Sequence, residues 1–127
     1  MTTIENARIK STRLGIEDHG IFTCYIHLEY NGAGQSFGGY GLDRTTILPE
    51  NGYTLPKRIG SVFGMTWIMT LLRVLDIDSY ESLPGTVCRV KREDGLAVSI
   101  GHFMKEQWFD PKALHRLLVE AGIEKDE

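Results

Sequence analysis

The sequence predicts an α+β fold. An antiparallel β-meander and a C-terminal hairpin pack on a central helix, and a short helix follows at the C-terminus. Three observations lead there. Phe22, Cys24, Ile26 and Leu28 alternate with Thr23, Tyr25, His27 and Glu29, the period of a half-buried strand. Val62–Leu75 is apolar over several turns behind Ser61, a helix-capping residue type. Asn31-Gly32 and Glu93-Asp94-Gly95 separate strand-like runs with hairpin-turn chemistry.

The elements follow in order. Ala7 to Leu14 alternate only fairly and read as a first strand, closed by a turn at 15–20. Ile21 to Tyr30 is the second strand and Gln35 to Leu42 the third. Asp43 to Lys57, punctuated by Pro49, Asn51-Gly52 and Pro56, reads as a long loop. The helix beginning after Ser61 is apolar on nearly every side. It reads either as the central core helix or as a helix also buried against a second subunit; the second is favoured, because one small sheet covers one face only. Ser79 can cap a short turn. Thr86 to Arg92 and Leu96 to His102 form the last hairpin, with Cys88 and Val90 on one face and Val87, Arg89 and Lys91 on the other. Asp110-Pro111 opens a final helix with an apolar stripe at Leu114, Leu117, Leu118 and Ala121; Gly122 ends it, and the last residues are expected to fray.

At 127 residues the chain reads as one domain, 1–127. A chain of that size buries roughly two thirds of its unfolded surface, enough to fold without a disulfide or metal. The formal charge of −3 argues against broad binding to DNA. No apolar run approaches the ~18 residues of a membrane span. Cys24 and Cys88 are far apart and read as buried free thiols, with a disulfide or a reactive thiol as the alternative.

The stretch 31–41, "NGAGQSFGGYG", holds five glycines and two aromatics. Its spacing is not that of a dinucleotide fingerprint, no helix follows it closely, and no Walker lysine is present. Its glycines serve a bent or bulged strand, and Phe37 and Tyr40 are candidate ligand walls. His19, His27, His102 and His115 lack metal-site spacing, so no metal or cofactor is expected. No nucleophile elbow is present, and the paired acids lie in turns. The basic residues are more suggestive. Lys57-Arg58 precede the helix, where side-chain charge and free N–H groups can meet one anion. Arg89 and Lys91 share a strand face, and Trp108-Phe109 precede the last helix, where they can stack on a base.

The segments "LGIEDHGIFTCYIHLEY", "GQSFGGYGLD" and "LPGTVCRVKRE…AVSIGHFMKEQWFDP", with the glycine-flanked helix between, resemble the first type of phage Thoeris anti-defence proteins over nearly the whole chain. That resemblance implies a sponge: a homo-oligomer, dimer or hexamer, in the cytoplasm of an infected bacterium. It would bind a cyclic ADP-ribose immune signal, and in some members cyclic oligonucleotides at separate sites, without catalysis. Arg58 is the firmest pocket match. Arg89, Lys91, His102, Trp108, Phe109, Phe37 and Tyr40 are the further candidate walls, and Arg8 and Lys10 a possible second anion site. Two other readings stand beside it: a nucleotide-hydrolysing enzyme using His102 or His19 as acid–base, and a phage structural or protein-inhibitor subunit.

Overall fold

The computed structural model describes residues 1–46 and 58–125. It is α+β, as the sequence predicts. Six strands form an antiparallel sheet: β1 (Thr2–Ile16), β2 (Phe22–Tyr30), β3 (Ala33–Gly41), β6 (Val87–Glu93), β7 (Leu96–His102) and β8 (Trp108–Phe109). Their spatial order is β3-β2-β1-β6-β7-β8, so the N-terminal strand lies in the middle. It joins the two halves of the chain, with Arg8 opposite Glu29 on one side and Val87 on the other. Two helices, α1 (Val62–Leu75) and α2 (Pro111–Glu120), lie on one face of the sheet.

The hairpin turns form where their chemistry placed them. Asn31 and Gly32 have φ of 50° and 73°, and Asp94 and Gly95 have φ of 50° and 83°, the paired left-handed residues of a two-residue turn. α1 begins at the predicted cap, where Ser61 Oγ accepts from the Gly64 amide at 2.8 Å. It ends at Asp76, which is left-handed (φ 55°). α2 begins behind Asp110, whose Oδ1 accepts from Lys112 and Ala113.

The inward residues of β2, Cys24, Ile26 and Leu28, join Ile9, Cys88, Val90 and Ile100 in a core filled by Trp67 and Leu71 of α1. The sheet curls around this helix. Phe37 on the β3 edge and Phe109 on the β8 edge approach to 6.1 Å between ring centroids, and Trp67 packs on both at 5.9 and 5.4 Å. The glycine-rich strand makes the curl possible. Gly38 has φ 118°, and a Cβ there would lie 2.3 Å from the Cys24 carbonyl oxygen. The β2–β3 register shifts at this point, a bulge that bends the strand.

Two expectations change. Asp43–Thr45 is not loop: it forms β4, paired with β5 (Arg58–Gly60) in a two-stranded ribbon. Pro49, Asn51-Gly52, Pro56 and Lys57 lie outside the described residues. The segment after α2 does not fray at once. The Ile123 and Glu124 amides both donate to the Leu118 carbonyl, at 2.9 and 3.1 Å, behind Gly122 (φ 73°). Within one chain, α1 buries Phe63, Gly64, Trp67, Leu71 and Leu75, while Val62, Met65 and Met69 remain exposed. Among the described residues no helix is long and apolar enough to cross a membrane.

Candidate functional site: a cationic cleft between two helix starts

The N-terminal ends of α1 and α2 converge beside the β3–β4 junction and leave a cleft of about 360 Å³. Tyr40, Phe63 and His115 form its ring-lined side. Phe63 meets Tyr40 edge-on at 6.2 Å and His115 at 5.4 Å. Arg44, Lys112 and Lys125 bring positive charge, and Asp43 and Glu124 bring the acids. The elements explain the convergence. The Ser61 amide and hydroxyl both donate to the Leu42 carbonyl, at 3.2 Å each, which ties the start of α1 to the ribbon. Pro111 is buried and seats the start of α2.

Charge in the cleft is unevenly satisfied. Asp43 accepts two bonds from Arg58, at 2.8 and 3.0 Å, and a third from the Phe22 amide at 3.1 Å. The Arg58 hydrogen bond, with the Phe22 amide assisting, holds the Asp43 carboxyl below the usual range despite its burial. The same pairing raises the Arg58 guanidinium. Arg58 is therefore a structural partner of Asp43, with its Nε and Nη2 edge taken up by that carboxylate. Among the described residues, Arg44, Lys112 and Lys125 form no ion pair, and Arg44 Nε is buried without a hydrogen-bond partner. Burial, and secondarily Asp110, pushes the Tyr40 hydroxyl up and keeps it a neutral donor. The Glu124 carboxylate sits on the Phe63 amide at 2.9 Å, on the free N–H groups of the first turn of α1.

The other sequence candidates divide among three places. Phe37 and Phe109 are enclosed in the core, 1% and 2% exposed, and are not pocket walls in this chain. Arg89, Lys91 and Trp108 lie on the face of the sheet away from the helices. There the Trp108 ring covers Gly101, with the Lys91 ammonium 4.2 Å and the Arg89 guanidinium 4.8 Å from its centroid. Trp108 thus stacks with its own chain's cations. Arg89 donates to the His102 and Lys105 carbonyls, at 2.9 and 2.8 Å, and pairs with Glu106 at 2.8 Å. Those contacts draw the Glu106 carboxyl below its usual range and fix the 103–107 loop.

His102 turns to the helix side. Its Nδ1 accepts from the Met104 and Lys105 amides, at 3.0 Å each, and its Nε2 faces Asp76 Oδ2 at 3.3 Å. Both ring nitrogens are engaged, so His102 clamps the loop to the end of α1. Lys105 reaches the same Asp76 oxygen at 2.8 Å and, with His102, lowers its carboxyl. His19 is exposed in the β1–β2 turn.

Arg8 and Lys10 line an open depression on the helix-free face with His27 and Ser36, which hydrogen-bond to each other at 2.8 Å. Alternation about the buried Ile9 puts Lys10 on this side with Arg8, and the bulge between Ile9 and Ser11 then brings Ser11 opposite His27. Cys24 and Cys88 are buried free thiols; Cys24 Sγ lies 3.3 Å from the Tyr80 hydroxyl. Among the described residues no group of three metal-ligating side chains forms.

Sequence reasoning found Tyr40 and missed Arg44, Lys112, His115, Glu124 and Lys125. The Asp110-Pro111 start of α2 was the available signal for Lys112. Nothing in the sequence indicated that 121–125 would fold back to α1. In comparison with known proteins, no family model, curated protein or solved structure matches the chain.

Proposed function

We propose that the chain binds and sequesters an anionic, base-bearing small molecule, a cyclic ADP-ribose-type immune signal, without turning it over. The observation that carries this reading is the cleft. Three cations without acidic partners among the described residues face aromatic rings at the start of a helix. Rings supply contact area for a base, while cations and helix amides answer phosphate charge. The volume lies within the range of small-molecule sites. The resemblance of the sequence to phage Thoeris anti-defence proteins supports the choice of ligand, host setting and sponge role.

Holding a scarce signal at nanomolar strength needs about 12 kcal/mol, which calls for several charge-assisted bonds together with enclosure. A homo-oligomer, dimer or hexamer, would supply the missing enclosure. The exposed Val62, Met65 and Met69 along α1 support such a contact. The Arg8–Lys10 depression is the place for a second anion such as a cyclic oligonucleotide.

The test is to incubate the protein with cyclic ADP-ribose isomers, denature it by heat and assay the released molecules. Intact signal after stoichiometric uptake is expected, and Lys112→Ala and Tyr40→Ala should each weaken uptake. A degraded product would make the protein an enzyme. No uptake at micromolar concentration would overturn the ligand assignment and favour a structural or protein-inhibitor role.

A further inference from the structure

We propose that Glu124 is an intramolecular competitor for the anion position of the cleft, so that a diphosphate-bearing ligand enters by displacing the 121–125 segment. This rests on the reading of the cleft as an anion site. Glu124 reaches α1 from 61 residues away in sequence, because Gly122 turns the chain back and Leu118 holds the two following amides. Its carboxylate takes the Phe63 amide, which lacks an acceptor within the helix. Among the described residues, the only other bond to that carboxylate is from the neighbouring Lys125 amide at 3.3 Å. It forms no ion pair with Arg44, Lys112 or Lys125 among the described residues, although all line the same cleft.

The helix start is therefore met by an anion of the chain itself, while the three cations have no acidic partner among the described residues. Among the described residues Arg44 Nε also has no hydrogen-bond partner, and Arg44 lines the same cleft. One ligand with two linked anionic groups can answer both: one group replaces Glu124 at Phe63, and the other reaches the cations. A singly charged ligand gains only one of these and must still displace the carboxylate. The segment would thus select for diphosphates over monophosphates and carboxylates.

The experiment is titration of the full chain, Glu124→Gln and Glu124→Ala with cyclic ADP-ribose and inorganic pyrophosphate by calorimetry. Amide exchange of Ile123 and Glu124 is followed in the unsubstituted chain. Removing the charge should tighten binding about 5-fold, the scale of a carboxylate at a helix start. Bound ligand should speed exchange at Ile123 and Glu124, whose bonds to Leu118 are released. Equal or weaker binding by Glu124→Gln, while the unsubstituted chain binds, overturns the competitor role and leaves the cleft reading intact. Unchanged exchange on ligand binding does the same, and needs no variant to fold. No binding of either probe to any of the three chains overturns the cleft reading and this inference with it.

Discussion

Gly64→Ala should unsettle both the fold and the cleft. Gly64 lies in the first turn of α1, where the helix crosses the Leu42 backbone. A Cβ at this position would lie 1.9 Å from the Leu42 oxygen, 2.6 Å from its carbonyl carbon and 2.8 Å from its Cα. Relief requires a movement on the order of 1.5 Å to restore ordinary contact distance. The obstacle is backbone, and the same carbonyl holds the Ser61 amide and hydroxyl. Overpacking of this kind costs about 1–3 kcal/mol, and each lost hydrogen bond about 1 kcal/mol. Alanine returns about 1 kcal/mol through helix propensity. The net loss is about 2–3 kcal/mol, or roughly 8–10 °C in Tm for a chain of this length. Thermal unfolding followed by circular dichroism measures it. Gly60→Ala is the control, since among the described residues a Cβ there meets nothing within 4 Å, and it should change stability by less than about 0.5 kcal/mol. A Gly64→Ala protein as stable as the unsubstituted chain would refute the close crossing of α1 over Leu42.

Other expectations concern charge and burial. Asp43→Asn should cost about 1.5–3 kcal/mol in denaturant unfolding, by weakening charge-assisted bonds to Arg58 and to the Phe22 amide. Because the folded Asp43 pKa is lowered, its contribution is present above the ordinary carboxylate range and fades as pH falls through the folded value; the acid limb of the stability profile should be shallower in Asp43→Asn. Burial pushes the Cys88 thiol and the Tyr80 hydroxyl up to about 12, so stability should decline on the alkaline side as the unfolded thiol and then the unfolded phenol ionise first, and Cys88→Ala should lessen the first part of that decline. His102→Ala removes the acceptor shared by the Met104 and Lys105 amides, so hydrogen exchange at those two residues should accelerate while exchange at Trp67 stays slow.

The sequence carried the elements whose cause is local. Ser61 and Asp110 are side chains that satisfy nearby helix amides, so both helix starts could be read from residue type and position. Asn31-Gly32 and Asp94-Gly95 supply left-handed backbone, so both turns could be read as well. Long-range pairings left no such trace. Nothing near Arg58 announces that Asp43, fifteen residues earlier, takes its guanidinium, and Glu124 reaches α1 only through tertiary packing. Phe37 was a candidate ligand wall in sequence, but the glycines beside it permit the bend that carries it inward against Trp67. Period-two alternation through "QWFD" was the missed signal at the other edge, with Trp108 turned outward and Phe109 inward.

The central place of β1 bears on how the chain assembles as it leaves the ribosome. The β2–β3 hairpin can pair early, since its partners are close in sequence. β1 lacks its second neighbour until β6 emerges, because Thr2 pairs with Glu93 and Arg8 with Val87. Ala7 and Ile9 cannot be covered on both sides before Val87 and Cys88 have been made. The nascent N-terminal half is therefore an incomplete meander with an open strand edge, exposed to mispairing until synthesis supplies the closing strand.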